Sequence, residues 1–475
     1  MRTDRFPNVV AVFIWDFVEG LVMRQEYVLL FLGLLFVSIC ACSGPSDPDQ
    51  AFPDTITNGE DIASGTGERI AWSPMATLDY PDPPEGIPDD LPPAFPVDEH
   101  VVLAWNDLGM HCYQGDFSSF LILPPYNVYW SQVVQRGETP AIVTDGIGAR
   151  YQTLHVTKPD LHSNFWDYAE AYGWELEPGE GLTGVRTSGP MEARQDHFIA
   201  EGVPTVDYND DGTWDPFPMF FVSVEDNAGT TLAQTLNVAP TSTEMACDLC
   251  HIGDTFQDSM RNVLQMHDKH EETDLFDSAE AGRPVMCCSC HSDPAMGFME
   301  NQDCELSLSS AIHGFHADKL NESEHALPEN TCHACHPGPK TNCLRDVMSQ
   351  MGITCTHCHG DMATVGAQER TPWANLPSCT SCHSEALDDL EAYAIRNPNE
   401  HLTVDADSLY RNSKAHGGVY CAACHGSPHA VTPAAKPRDN EQAIRLQGES
   451  GPINKCILCH LEQPEEEFQH FYVEQ

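Results

Sequence analysis

Seven pentapeptides share one spacing, two cysteines two residues apart with a histidine directly after. They are Cys247-Asp-Leu-Cys250-His251, Cys287-Cys-Ser-Cys290-His291, Cys332-His-Ala-Cys335-His336, Cys355-Thr-His-Cys358-His359, Cys379-Thr-Ser-Cys382-His383, Cys421-Ala-Ala-Cys424-His425 and Cys456-Ile-Leu-Cys459-His460. Thiols at this gap can add across the two vinyl groups of one porphyrin, and the adjoining imidazole is then placed to bind the iron from one side. Each motif therefore specifies one c-type haem, seven in all, with the seven motif-final histidines as proximal ligands. Structural zinc also uses Cys-x-x-Cys, but it joins such pairs into four-ligand sites and gives no reason for a His after all seven. A dithiol oxidoreductase carries one or two pairs on an alternating strand-helix scaffold, and no such pattern surrounds these.

An iron that only exchanges electrons keeps both axial positions filled, and histidine is the expected filler. Outside the motif-final positions, residues 243–475 hold His267, His270, His313, His316, His325, His333, His357, His401, His416, His429 and His470, eleven candidate distal ligands for seven irons. His313 and His316, three apart in the helix-like stretch 306–320, share a face and could serve different haems. His333 and His357 lie inside motif loops, where the alternative is a surface or propionate-bonding role. Met286, Met296 and Met351 are alternative ligands that would raise the potential, with packing as the plainer reading.

The elements that must position these groups read as follows. Residues 1–42 form a signal segment: 28–41 is an uncharged run of export-signal length, short of the roughly 20 residues that span a bilayer, and the true start is expected at Met23. Ile39-Cys40-Ala41-Cys42 resembles a bacterial lipobox, which makes Cys42 the lipidated residue, with cleavage and no lipid as the alternative. Residues 43–98 hold eleven prolines and twelve acidic residues against one Arg, and read as an extended tether. In 99–242, short apolar runs at 101–105, 128–134, 141–144, 151–156, 220–224 and 231–238 are broken by Gly, Asn, Asp and Pro, the pattern of an all-β, sandwich-like domain. A helical insertion is expected at 164–173. Residues 243–475 should form a mostly irregular, short-helix domain organised around its haems. Successive proximal histidines lie 40, 45, 23, 24, 42 and 35 residues apart, so no fixed repeat is present. Each porphyrin would bury about 400 Å² of apolar face, roughly 10 kcal/mol gross, in place of a conventional core.

Asp207, Asn209, Asp211, Thr213 and Asp215, with Gly212, match the early positions of a calcium loop, but position 12 is Pro218. Two readings stand: a calcium site completed by a carboxylate from elsewhere, or an Asx-rich turn. Of the remaining cysteines, Cys304 and Cys343 bracket the third motif and are the natural bridge in an oxidising compartment. With 72 acidic against 23 basic residues the net charge is -49, which excludes nucleic acid as a partner and suits a basic redox partner or metal cations.

The carboxy-terminal half resembles the multihaem c-type cytochromes of the periplasm and surface of metal-respiring bacteria, through its seven motifs and stretches such as Cys335-His336-Pro337-Gly338 and Cys358-His359-Gly360. The resemblance implies electron relay between quinol-linked donors and acceptors outside the cell, with redox proteins as partners, a lipid anchor, an outer-membrane or periplasmic location, and in some members assembly into filaments. Trp105-Asn-Asp-Leu-Gly-Met-His-Cys112 looks like part of an extra domain found in some members. Two further readings remain open: a reductase or dehydrogenase of a small nitrogen or sulfur species with one open haem, and a β domain that serves binding or homo-oligomeric assembly.

Overall fold

The computed structural model describes residues 80–93, 97–300, 304–321, 331–377 and 409–464. The signal segment with Cys42, residues 43–79, the fifth motif (Cys379, Cys382, His383) and His325, His401 and His470 lie outside the described residues.

Antiparallel sheets dominate and the helices are few and mostly short, as the apolar punctuation of 99–242 predicts. The strands are β1 His100–Asn106, β2 His111–Cys112, β3 Phe120–Leu121, β4 Tyr126–Gln135, β5 Ala141–Ile142, β6 Ile147–Leu154, β7 Ser188–Pro190, β8 Glu192–Ala193, β9 Phe198–Pro204, β10 Met219–Asp226, β11 Thr231–Val238 and β12 Thr241–Ser242. One sheet runs β1-β4-β9-β8 with β5 on β4, the other β11-β10-β6-β7. Their inner faces share one core: Val102, Ala104, Tyr129, Val133, Phe198 and Ala200 from the first meet Ala149, Tyr151, Phe220, Val222 and Val224 from the second. Tyr129 and Phe220 stack across it, ring centres 4.0 Å apart. The helical insertion is present as two short turns, Phe165–Tyr168 and Glu170–Tyr172.

β1 explains its own sequence. A strand exposed on one face would alternate, whereas Val101 to Asn106 are all buried. Val102 and Ala104 face the two-sheet core. Val101, Leu103 and Trp105 face the other way, onto Tyr420, Ala422 and Ala423 of the sixth motif.

The second half is built of turns and short helices: α1 Phe256–Glu271, α2 Leu308–Asn321, α3 Met362–Val365 and α4 Glu441–Gln447. Thr255 caps α1, its hydroxyl accepting from the Asp258 amide at 3.1 Å. No physical divide falls at 242. β12 pairs in parallel with β2, and Val285–Met286 (β13) pairs with β3. All described residues belong to one compact unit. The tether is likewise corrected at its far end: residues 80–93 are extended but pinned, because buried donors need their carbonyls. Arg438 Nε donates to Gly86 O at 2.8 Å and Arg445 to Pro92 O at 2.5 Å, while the Tyr80 hydroxyl reaches Thr243 O at 2.8 Å and its ring lies 4.8 Å from Trp214.

Candidate functional site

Six motifs are described, each a single helical turn. Four are 3-10 turns (Cys247–Leu249, Cys287–Ser289, Thr331–Ala334, Cys456–Leu458) and two are one-turn α-helices (Cys355–His359, Cys421–His425). A turn of this kind puts the two thiols on one side. In the 3-10 turns it also fixes the histidine, whose amide donates to the carbonyl of the first cysteine: His251 at 3.0 Å, His291 at 3.2 Å, His336 at 2.9 Å and His460 at 2.8 Å. Burial pushes Cys287 and Cys424 up to about 12 and Cys335 and Cys459 up to about 11, the reverse of the lowered thiol of a redox Cys-x-x-Cys.

Four motif-final imidazoles each face a second, non-motif imidazole. The ring centres are 6.3 Å apart for His251 and His316, 5.9 Å for His313 and His336, 6.1 Å for His359 and His429, and 6.2 Å for His416 and His460. A metal bound to an imidazole at about 2 Å lies about 3 Å from its ring centre. Two such rings on opposite sides of one metal are then about 6 Å apart, while tetrahedral ligands would stand about 5 Å apart. The observed separations leave room for one bound ion between the two rings of each pair, which these histidines would then hold. Burial lowers the His267 pKa, Glu271 opposes this, and His291, near enough to interact electrostatically, adds to it.

In five of these histidines the Nδ1 nitrogen is engaged by the protein, which fixes the ring and turns Nε2 outward for a metal. Nδ1 donates to Ser309 O in His313 and to Ile312 O in His316, both at 2.7 Å, and to Leu306 O in His291 at 2.8 Å. His267 Nδ1 meets Thr273 Oγ1 at 3.0 Å and His251 Nδ1 meets Asn262 Oδ1 at 3.3 Å. Burial holds His251, His313 and His359 below the usual imidazole range and His429 down to about 4, so these rings are neutral near pH 7.

Shared elements tie the pairs together. α2 carries His313 for the third motif and His316 for the first; it can approach α3 closely because Gly314 meets Gly366, where an added Cβ would fall 2.4 Å from Gly314 N. α1 carries Asn262 for the first motif and His267 for the second. The Cys332 thiol hydrogen-bonds that of Cys355, linking the third and fourth motifs, and Cys424 lies near Cys459, linking the sixth and seventh.

Other candidates fall elsewhere. His357 is exposed and reaches back to Thr354 N at 3.0 Å as a helix cap. His333 bonds His336 O at 3.4 Å at the surface, and His270 is exposed with its ring against Phe315. Met286 and Met296 pack under Phe117 and Phe165, and Met351 is 79% exposed. Cys304 and Cys343 are not bridged; Cys343 packs with Cys112 against Met110, Phe217 and Val238.

In the 207–215 loop the carboxylates are spent on protein donors. Asp207 accepts from Tyr113 Oη at 2.6 Å, Thr243 N and Oγ1 at 2.7 Å and Trp214 Nε1 at 2.9 Å. Asp215 pairs with Arg438 at 2.7 Å, and Asp211 Oδ1 accepts from Thr213 N at 2.9 Å. Among the described residues no group of three or more His, Cys, Asp or Glu is gathered to hold a bare metal ion. The geometry is that of the Asx-rich turn.

Comparison with family models, with curated proteins and with solved structures finds no match for this chain.

Proposed function

We propose that this chain is a multihaem c-type cytochrome that relays electrons, with a sandwich-like β half and a second half organised around seven covalently held haems. The observation that carries this reading is the set of facing imidazole pairs, 5.9 to 6.3 Å between ring centres, each with one member directly after a Cys-x-x-Cys. A bound haem would supply one reversible electron through its iron. The protein's part is to supply two thiols for attachment, two neutral imidazoles for axial ligation, and fixed ring orientations through the Nδ1 partners. Filling both axial positions leaves no coordination site for a substrate at these motifs, which favours a conduit over a reductase. The distal ligands on this reading are His316, His267, His313, His429 and His416, for the first, second, third, fourth and seventh motifs.

Further parts of the reading are a lipid anchor at Cys42, export to the periplasm or cell surface, and redox proteins as partners. No described helix is long and apolar enough to cross a membrane. The test is expression in a host competent in cytochrome maturation. The expected product is coloured, carries seven haems by pyridine haemochrome and intact mass, and is low-spin. A colourless mature product, or a mass short of seven haems, would overturn the proposal.

A further inference from the structure

The loop between β1 and β2, residues 106–110, grips the segment 427–429 that bears one of the facing imidazoles. Asn106 N donates to Ser427 Oγ at 3.2 Å. Gly109 stands at φ +80, its amide donating to Asn106 Oδ1 at 3.1 Å and its carbonyl accepting from Arg345 at 3.0 Å. The space where a side chain at 109 would stand is taken: an added Cβ would fall 1.5 Å from Pro428 O and 3.4 Å from His429 Cβ. Only glycine permits this approach.

His429 itself has φ +61, a region that residues with a Cβ seldom adopt and that persists where the surroundings dictate it. Those surroundings are few and specific. Its carbonyl accepts from Arg345 N at 2.9 Å, and its Nδ1 lies 3.8 Å from Cys343 Sγ. The Arg345 guanidinium, buried to 1% exposure, reaches Gly109 O, Cys343 O at 2.9 Å and both oxygens of Asp439 at 2.6 and 2.8 Å. Arg345 thus joins three parts: its buried cation holds the β1–β2 loop and the Cys343 segment, and its backbone amide holds the His429 carbonyl.

We propose that the β1–β2 loop and the Cys343 segment together act as a positioning device for the distal ligand of the fourth motif, with Gly109 setting the His429 backbone and Cys343 setting its ring. This rests on the haem reading above. Gly109 and Cys343 are positioning residues, since neither touches the iron site directly.

The experiment uses the full haem-loaded chain and reads spin state and potential. Gly109→Ala should keep seven haems by pyridine haemochrome while one haem in seven turns from low to high spin in electron paramagnetic resonance, and added imidazole should restore it. Cys343→Ala should move the midpoint of one haem positive, because an imidazole without an acceptor at Nδ1 donates less to iron, and Cys343→Ser should return it. Where Gly109→Ala yields no soluble protein, the Cys343 pair decides. Seven haems with unaltered spin state in Gly109→Ala, or unaltered potentials in Cys343→Ala, would overturn the inference and leave the haem reading standing. Loss of haem from the unaltered chain would instead defeat that reading.

Discussion

Removing His313 or His316 tests the axial pairing directly, because both lie on α2 yet face different motifs. Three residues apart on a helix, they differ by about 60° in direction and about 4.5 Å along the axis, enough to meet His336 and His251 separately. His313→Ala and His316→Ala should each convert one haem in seven, about 14% of the iron, to the high-spin form, and the double variant two in seven. The ring planes make the two losses distinguishable. His313 and His336 are nearly parallel at 19°, whereas His251 and His316 are nearly perpendicular at 73°. Parallel axial imidazoles separate the iron d orbitals they overlap and give a rhombic low-spin signal, while perpendicular ones leave those orbitals close in energy and give a single large g value. Frozen-solution electron paramagnetic resonance should therefore lose rhombic intensity in His313→Ala and large-g intensity in His316→Ala. Neither His270→Ala nor His357→Ala should change the spectrum. Wild-type spin states in both α2 variants, or a high-spin signal from His270→Ala, would refute the pairing.

Gly366→Ala should push α3 off α2, since its Cβ would meet Gly314 N at 2.4 Å; the expected cost is about 1–3 kcal/mol in thermal unfolding, with the His313 and His316 haems perturbed together. Arg345→Met should destabilise by about 3–5 kcal/mol by leaving the buried Asp439 carboxylate unpaired, and Arg345→Met with Asp439→Leu should recover most of that in chemical denaturation. Treatment with a calcium chelator should leave the melting temperature unmoved, because Asp207 and Asp215 are already held by Thr243, Trp214, Tyr113 and Arg438; a fall of several degrees would reinstate calcium at this loop.

Much of the β half is legible in the sequence because its signal is local. The runs at 101–105, 128–134, 220–224 and 231–238 fall inside β1, β4, β10 and β11. β9 escapes because Glu201 and Gly202 interrupt Phe198–Pro204, and its burial comes from partners on both sides rather than from its own pattern. α1 escapes too, although Thr255-Phe-Gln-Asp258 is a readable cap. The motif turns are local and hence visible, as is α2. Distal pairing is not, since it depends on which loops return to which motif: His429 reaches His359 across 70 positions of chain, while His357, two residues away from His359, serves as a cap. The clamp of Gly109 on Pro428 has no local signature beyond the turn residues Asn106, Asp107 and Gly109.

Two residues far along the chain, Gln442 and Cys459, bond to the region of the first strands. Ala104 N donates to Gln442 Oε1 across 338 positions, and Gly137 N donates to Cys459 O. A polypeptide delivered from its amino end therefore exposes the outer face of β1 until the sixth motif has emerged, and a product truncated before Tyr420 would keep Val101, Leu103 and Trp105 uncovered.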